Sequence, residues 1–307
     1  MKMDAEVVVM TMSDLDNYYY KRSYVRKDVR YIYMFHYPLS THMVLHTGAL
    51  DHYDEILCVG EFQIPEIRKA EVLGGLSPKH LEVCGYCQLD ELYKAYRNMQ
   101  PYDSGKKKIL VAPSWQEDNI LDSCIDELLK GLMGNGWEIT VRPHPEYMKR
   151  FKVRMDATIK RWEGHDPEEL KFETDFTSNE SIYASDVVIT DWSGTATEFS
   201  FVTLKPCIFV DTLPKINNPD YVKLEIEPQE LRLRDQIGVR ISPDQVGNTG
   251  NLVKTLLDQA EQWEKQINKI RTGLIANFPE SARVSAREIL RAVIEQQYPV
   301  QNQTEAK

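Results

Sequence analysis

Arg142-Pro143-His144-Pro145 is the stretch of this chain best suited to chemistry. The two prolines fix the backbone around His144 and remove two amide donors. An imidazole titrates near neutrality and can accept or deliver a proton, and Arg142 beside it offers paired N–H donors for a phosphate oxygen. The plainer reading of His144 is a turn histidine with a structural hydrogen bond. A second cluster runs from Asp186 to Glu198, where an apolar stretch ends in Thr190-Asp191 and is followed by Trp192-Ser193-Gly194-Thr195. A helix beginning near Thr195 leaves free amides that, with the helix dipole, favour a phosphate. The hydroxyls of Ser193 and Thr195 add donors there, and Glu198 lies one turn further on, where it can accept from a ribose or polyol hydroxyl. Helix capping alone explains one of the two hydroxyls, and a first-turn acidic residue is the ordinary reading of Glu198. The third cluster is His36, His42, His46 and His52. His36 follows an apolar stretch and fits a general base. His42 and His46, four apart, form a metal-like pair if helical, with Asp51 and Asp54 near in sequence. One histidine as a base is preferred, and no metal site is assigned.

Positioning these side chains requires strand ends. Lys106–Val111, Trp137–Val141, Asp186–Thr190 and 207–210 read as short buried strands. Between them, apolar residues at Ile120, Leu121, Cys124, Ile125, Leu128, Leu129 and Leu132 share one helical face, stopped by Gly134-Asn135-Gly136. Shorter helices are expected over 179–184 and 194–203. Strands alternating with helices imply a parallel sheet covered on both faces, with ligands beyond the carboxyl ends. Further strands are expected over 6–10, 29–35, 54–59 and 81–83. Helices are expected over 251–270 and 280–296, with Pro279 in the first turn of the latter, followed by a polar tail that frays. The fold class is therefore α/β, with residues 1–100 as a first, apparently small or incomplete Rossmann-like domain. Residues 101–250 form a second one, and 251–307 supply C-terminal helices and the tail.

Bulk composition removes several classes. A net charge of −10 over 307 residues argues against a nucleic-acid binder. No apolar run approaches the ~20 residues of a membrane span, and the first ten residues are too short for a signal peptide, so a protein that is cytoplasmic, or peripheral on the inner face of the cell membrane, is expected. Cys84-Gly85-Tyr86-Cys87 is formally a CxxC, but no second pair or nearby His completes a zinc set. No Gly-Lys-Ser/Thr loop or Gly-x-Gly-x-x-Gly is present.

Taken in order, Gly85-Tyr86-Cys87-Gln88-Leu89-Asp90, then Arg142-Pro143-His144-Pro145, then Ser185 to Gly194 with Glu198-Phe199, resemble the CDP-glycerol glycerophosphotransferase family of teichoic acid and capsule synthesis. The resemblance spans about 30 to 215. It implies a GT-B architecture of two facing Rossmann-like domains, with the donor held mainly by the second. It also implies a catalytic histidine after a first-domain strand. His36 matches by position, but Tyr37 follows it where the family has Gly, and His46-Thr47-Gly48 is the nearest alternative. Cys87-Gln88 stands where the family has Pro-Arg. The second essential histidine is carried over to His144, facing the first across the interdomain crevice. Arg142, Asp191, Ser193, Gly194, Thr195 and Glu198 are the implied donor contacts. The implied reaction moves a polyol phosphate, glycerol phosphate foremost, from a CDP-activated donor to a lipid-linked glycan or polymer acceptor, with no tightly bound cofactor. An anionic membrane surface is an expected partner, through Tyr18 to Lys27. A sugar-nucleotide glycosyltransferase, a related epimerase and a non-catalytic scaffold are the alternatives on the same fold.

Overall fold

The structure, a computed structural model, describes residues 5–100 and 104–298. The polar tail after Tyr298 lies outside the described residues. Contacts divide the chain into two units, the first comprising Met1–Glu91, Ile216–Pro228 and Thr272–Lys307, the second Leu92–Lys215 and Gln229–Arg271. Where the sequence reading cuts at 100 and 250, the chain therefore returns twice to its first unit.

The first unit holds a parallel sheet of β1 (Val7–Met10), β2 (Arg30–Met34), β3 (Glu55–Cys58) and β4 (His80–Val83), in that order. Ile32, Leu57 and Cys84 form its core with Ala292, while Val284 and Ile289 pack alongside. The Ser281–Gln297 helix thus completes the unit whose sequence alone looked incomplete. Gly85 makes its close approach feasible: with φ +98°, a Cβ there would stand 2.1 Å from the Ala276 carbonyl oxygen and 2.4 Å from Ser281 Oγ. Asp90 accepts from the Ala282 amide at 2.8 Å, anchoring the same helix. Pro279 precedes the Glu280 N-cap and so stands outside the first turn.

The second unit holds β5 (Lys108–Val111), β6 (Glu138–Val141), β7 (Leu170–Phe172), β8 (Val187–Thr190), β9 (Cys207–Val210) and β10 (Gly238–Ile241). All are parallel, in the order β10-β9-β8-β5-β6-β7. Their side chains, including Ile109, Val111, Val141, Ile189 and Val210, are fully buried with Leu128 and Leu132, each such burial being worth ~1.5–3 kcal/mol. The parallel α/β architecture expected for residues 105–215 is what forms. β7 and β10, which the sequence reading missed, add its edges.

Two long helices expected as single are each broken. Residues 120–132 form Ile120–Ser123 and Ile125–Leu132, separated at Cys124 with φ −151° and ψ 15°. The Asn119 side chain accepts from the amides of Leu121 and Asp122 and so starts the first segment. The C-terminal pattern likewise splits at Gln259 into Thr249–Asp258 and Ala260–Leu274.

Candidate active site

In the second sheet the strand order reverses at β5 and β8, which are direct neighbours. The crevice beyond their carboxyl ends is where such a sheet takes a ligand. Asp191, one residue past β8, is 1% exposed. Its Oδ1 accepts from the Ser114 amide at 2.7 Å and the Trp192 amide at 2.6 Å, and its Oδ2 from the Ile120 amide at 3.1 Å. The carboxylate is thus committed to the backbone. It ties the loop after β5 to the loop after β8, so its action on a ligand passes through those loops.

Beyond it, Gly194 is exposed and precedes the Thr195–Thr203 helix. A Cβ built there would meet nothing within 4 Å, which leaves room for a ligand against the backbone. Ser193 Oγ donates to Thr195 Oγ1 at 3.0 Å and accepts from the Thr195 amide at 3.3 Å. Among the described residues, the Ser193 and Gly194 amides have no hydrogen-bonded acceptor. Free amides, two hydroxyls and open space therefore stand together at the strand exit. Glu198 is half-buried in the next turn, and its charge, after burial itself, raises the Tyr183 phenol.

Arg142 and His144 leave β6 in different directions. The Arg142 guanidinium pairs with Glu173, donates to the Ser178 carbonyl at 2.8 Å and to Asn179 Oδ1 at 3.2 Å, and lies over the Phe176 ring at 5.4 Å. These bonds fix the 173–181 segment rather than presenting paired donors to solvent. His144 is half-buried and caps the Pro145–Arg150 helix, its Nδ1 accepting from the Glu146 amide at 3.0 Å. An accepting Nδ1 carries no proton, so the neutral ring holds its proton on Nε2. Burial, then the Lys215 charge, lower the pKa of His144 below its ordinary value. The geometry favours a neutral Nε2–H donor.

Lys215 was absent from the sequence reading. It follows β9 in a loop fastened by two bonds: Gln116 Nε2 donates to the Leu213 carbonyl at 2.7 Å, and Trp192 Nε1 to the Thr212 carbonyl at 3.0 Å. Nearby, Ser114 Oγ and Thr212 Oγ1 are buried with no partner among the described residues. A lone loop lysine and two ordinary hydroxyls carry no motif, so only the fold reveals them.

In the first unit, His36 lies just past β2 and is exposed. Its carbonyl accepts from the Tyr86 hydroxyl at 3.0 Å, and its ring meets Tyr37 edge-on at 5.2 Å. The Gly85-Tyr86 stretch at the end of β4 thus steadies the His36 loop. His42 is buried, with Nε2 3.0 Å from the Ile226 carbonyl and Nδ1 3.4 Å from Glu66. The helix carrying it ends at Val44, with Leu45 already extended, so His42 and His46 do not share a helical face. His46 is exposed on a cavity of about 330 Å³ within this unit, lined also by Thr47, Asp51, Glu71 and Lys79. Among the described residues, no group of three or more His, Cys, Asp or Glu side chains is placed to hold a metal ion. All five cysteines are free, and burial pushes the Cys84 thiol up to about 12, as suits inert core thiols.

A parallel α/β sheet in each unit is the architecture of the GT-B fold. The chain's fold neighbours agree. The wall teichoic acid polymerase TagF, in a structure soaked with CDPG, superimposes with a TM-score of 0.54 at 16% identity, covering 89% of this chain and 69% of that one. A UDP-GlcNAc 2-epimerase of Methanocaldococcus jannaschii gives 0.55 at 12% identity over 93% and 76%. A putative UDP-N-acetylglucosamine 2-epimerase of Listeria monocytogenes gives 0.58 at 12% over 89% and 70%. At such identities the likeness is one of fold. No curated protein matches the chain.

Residues 76–212 match the family model described as CDP-Glycerol:Poly(glycerophosphate) glycerophosphotransferase. The resemblance read from the motifs is borne out over that segment. The segment includes Gly85-Tyr86, His144 and the Ser193–Glu198 helix start.

Proposed function

We propose that the chain transfers glycerol phosphate from CDP-glycerol to a hydroxyl of a lipid-linked glycan or polymer. The observation that carries this reading is the family match, which takes in the open helix start at Gly194. The acceptor oxygen bonds to the phosphorus bearing glycerol, the bond from that phosphorus to the bridging oxygen breaks, and CMP leaves. His36 takes the hydroxyl proton as general base, help worth ~10²–10⁴-fold. His46 is the alternative base. The Ser193 and Gly194 amides, the Ser193 and Thr195 hydroxyls and the His144 Nε2–H stabilise charge growing on the phosphates, and Glu198 accepts from the glycerol diol. Asp191 and Arg142 serve the donor by holding the loops that present these groups. Thermal stabilisation by CDP but not UDP is the expected signature, since a ligand stabilises only the state that binds it. A shift with UDP alone supports a sugar-nucleotide enzyme, and no shift with either supports a scaffold.

A lipid-linked acceptor calls for contact with a membrane surface, and no helix among the described residues is long and apolar enough to cross one. Tyr19 is 95% and Tyr24 81% exposed, while Arg22 pairs with Asp54 and Arg26 with Asp28. Of the four cations in this stretch, Lys21, Arg22, Arg26 and Lys27, two are thus neutralised, and the aromatic rings become the main contact. Tyr19→Ser/Tyr24→Ser is expected to reduce sedimentation with anionic vesicles more than added salt does. The opposite ranking makes the attachment electrostatic.

A further inference from the structure

We propose that Lys215 is an anion-binding residue of the donor site, its ammonium binding the diphosphate of the nucleotide beside His144. The inference rests on the donor site lying at the carboxyl ends of β5, β8 and β9. Lys215 is half-buried and makes no hydrogen bond or ion pair among the described residues. Its Nζ lies 4.7 Å from the centre of the Trp115 ring, a contact that holds the ammonium without neutralising it. The Asp191 carboxylate, whose field reaches Lys215, is occupied by three amides, and Arg150, over the same Trp115 ring at 4.6 Å, adds positive charge.

Placing an ammonium out of water without a directly paired counter-ion is costly. The cost is recovered when an anion enters, and the loop leading to the lysine is fastened at Thr212 and Leu213 by Trp192 and Gln116. The hydroxyls of Ser114 and Thr212, buried and without a partner among the described residues, lie just past the same strand ends. The His144 ring, neutral with its proton on Nε2, adds a donor where the Lys215 field disfavours a second full charge. A diphosphate, with two adjacent anionic groups, fits one cation and several neutral donors better than a single carboxylate does.

The test is calorimetric titration of the full chain and of Lys215→Met and Lys215→Arg with CDP, UDP, inorganic pyrophosphate and cytidine. Lys215→Met is expected to weaken whichever nucleoside diphosphate the parent binds by ~10-fold or more, the scale of one charged hydrogen bond. Pyrophosphate should weaken in parallel, any cytidine binding should be unchanged, and Lys215→Arg should recover most of the loss. An unchanged melting temperature for Lys215→Met shows that the fold is intact. Equal diphosphate affinity for parent and Lys215→Met overturns the assignment, as does a parent that binds none of these anions. Binding of UDP in place of CDP, with the same Lys215 dependence, overturns the cytidine donor but upholds the role of Lys215.

Discussion

His36→Ala is expected to cut transfer at least ~10²-fold while leaving nucleotide affinity nearly unchanged. A base must stand within hydrogen-bond reach of the hydroxyl it deprotonates, so its backbone has to be held. His36 meets that need: it lies just past β2, its carbonyl takes the Tyr86 hydroxyl, and its ring remains exposed for an acceptor. His46 is also exposed but follows a short helix that ends two residues before it, so His46→Ala should be much less impaired. Steady-state transfer rates of the two variants beside the parent decide the matter. A reversed ranking moves the base to His46 and leaves His36 structural.

Asp191→Ala is expected to cost about 3 kcal/mol or more of stability, because it strands three amides worth ~1–3 kcal/mol each when buried and unpaired. Those amides belong to Ser114, Ile120 and Trp192, so the loops after β5 and β8 loosen together and nucleotide binding falls with them. Asp191→Asn keeps an oxygen for Ser114 and Trp192 but turns an NH₂ toward the Ile120 amide, and should lie between the parent and alanine. Urea unfolding midpoints measure the series. A loss under ~1 kcal/mol for alanine means that the amides find other acceptors, and the clamp is then not what positions the site.

The strands were legible because their apolar runs end abruptly in polar residues, as at Val187–Thr190 before Asp191. The helix breaks at Cys124 and Gln259 were not, because the apolar spacing continues unaltered across them. Residue type also left Arg142 and Asp191 ambiguous. A guanidinium or carboxylate advertises bonding capacity, but whether a ligand or the protein fills it depends on partners far along the chain. For Arg142 these are Glu173 and the 178–181 segment, and for Asp191 they are amides more than seventy residues away. The return of residues 272–298 to the first unit was hidden for the same reason, although Gly85 was noticed. Its lack of a side chain serves the carbonyl of Ala276, a neighbour that the local sequence does not reveal.

The central claim is that this chain moves glycerol phosphate from a cytidine-activated donor. The most direct test incubates the full chain with CDP-glycerol labelled in the glycerol and with a lipid-linked acceptor, and follows both label transfer and CMP release. Incorporation of label with one CMP per glycerol phosphate is the predicted result, absent with UDP-N-acetylglucosamine as donor. CMP release without incorporation, or transfer from the UDP-sugar alone, contradicts it.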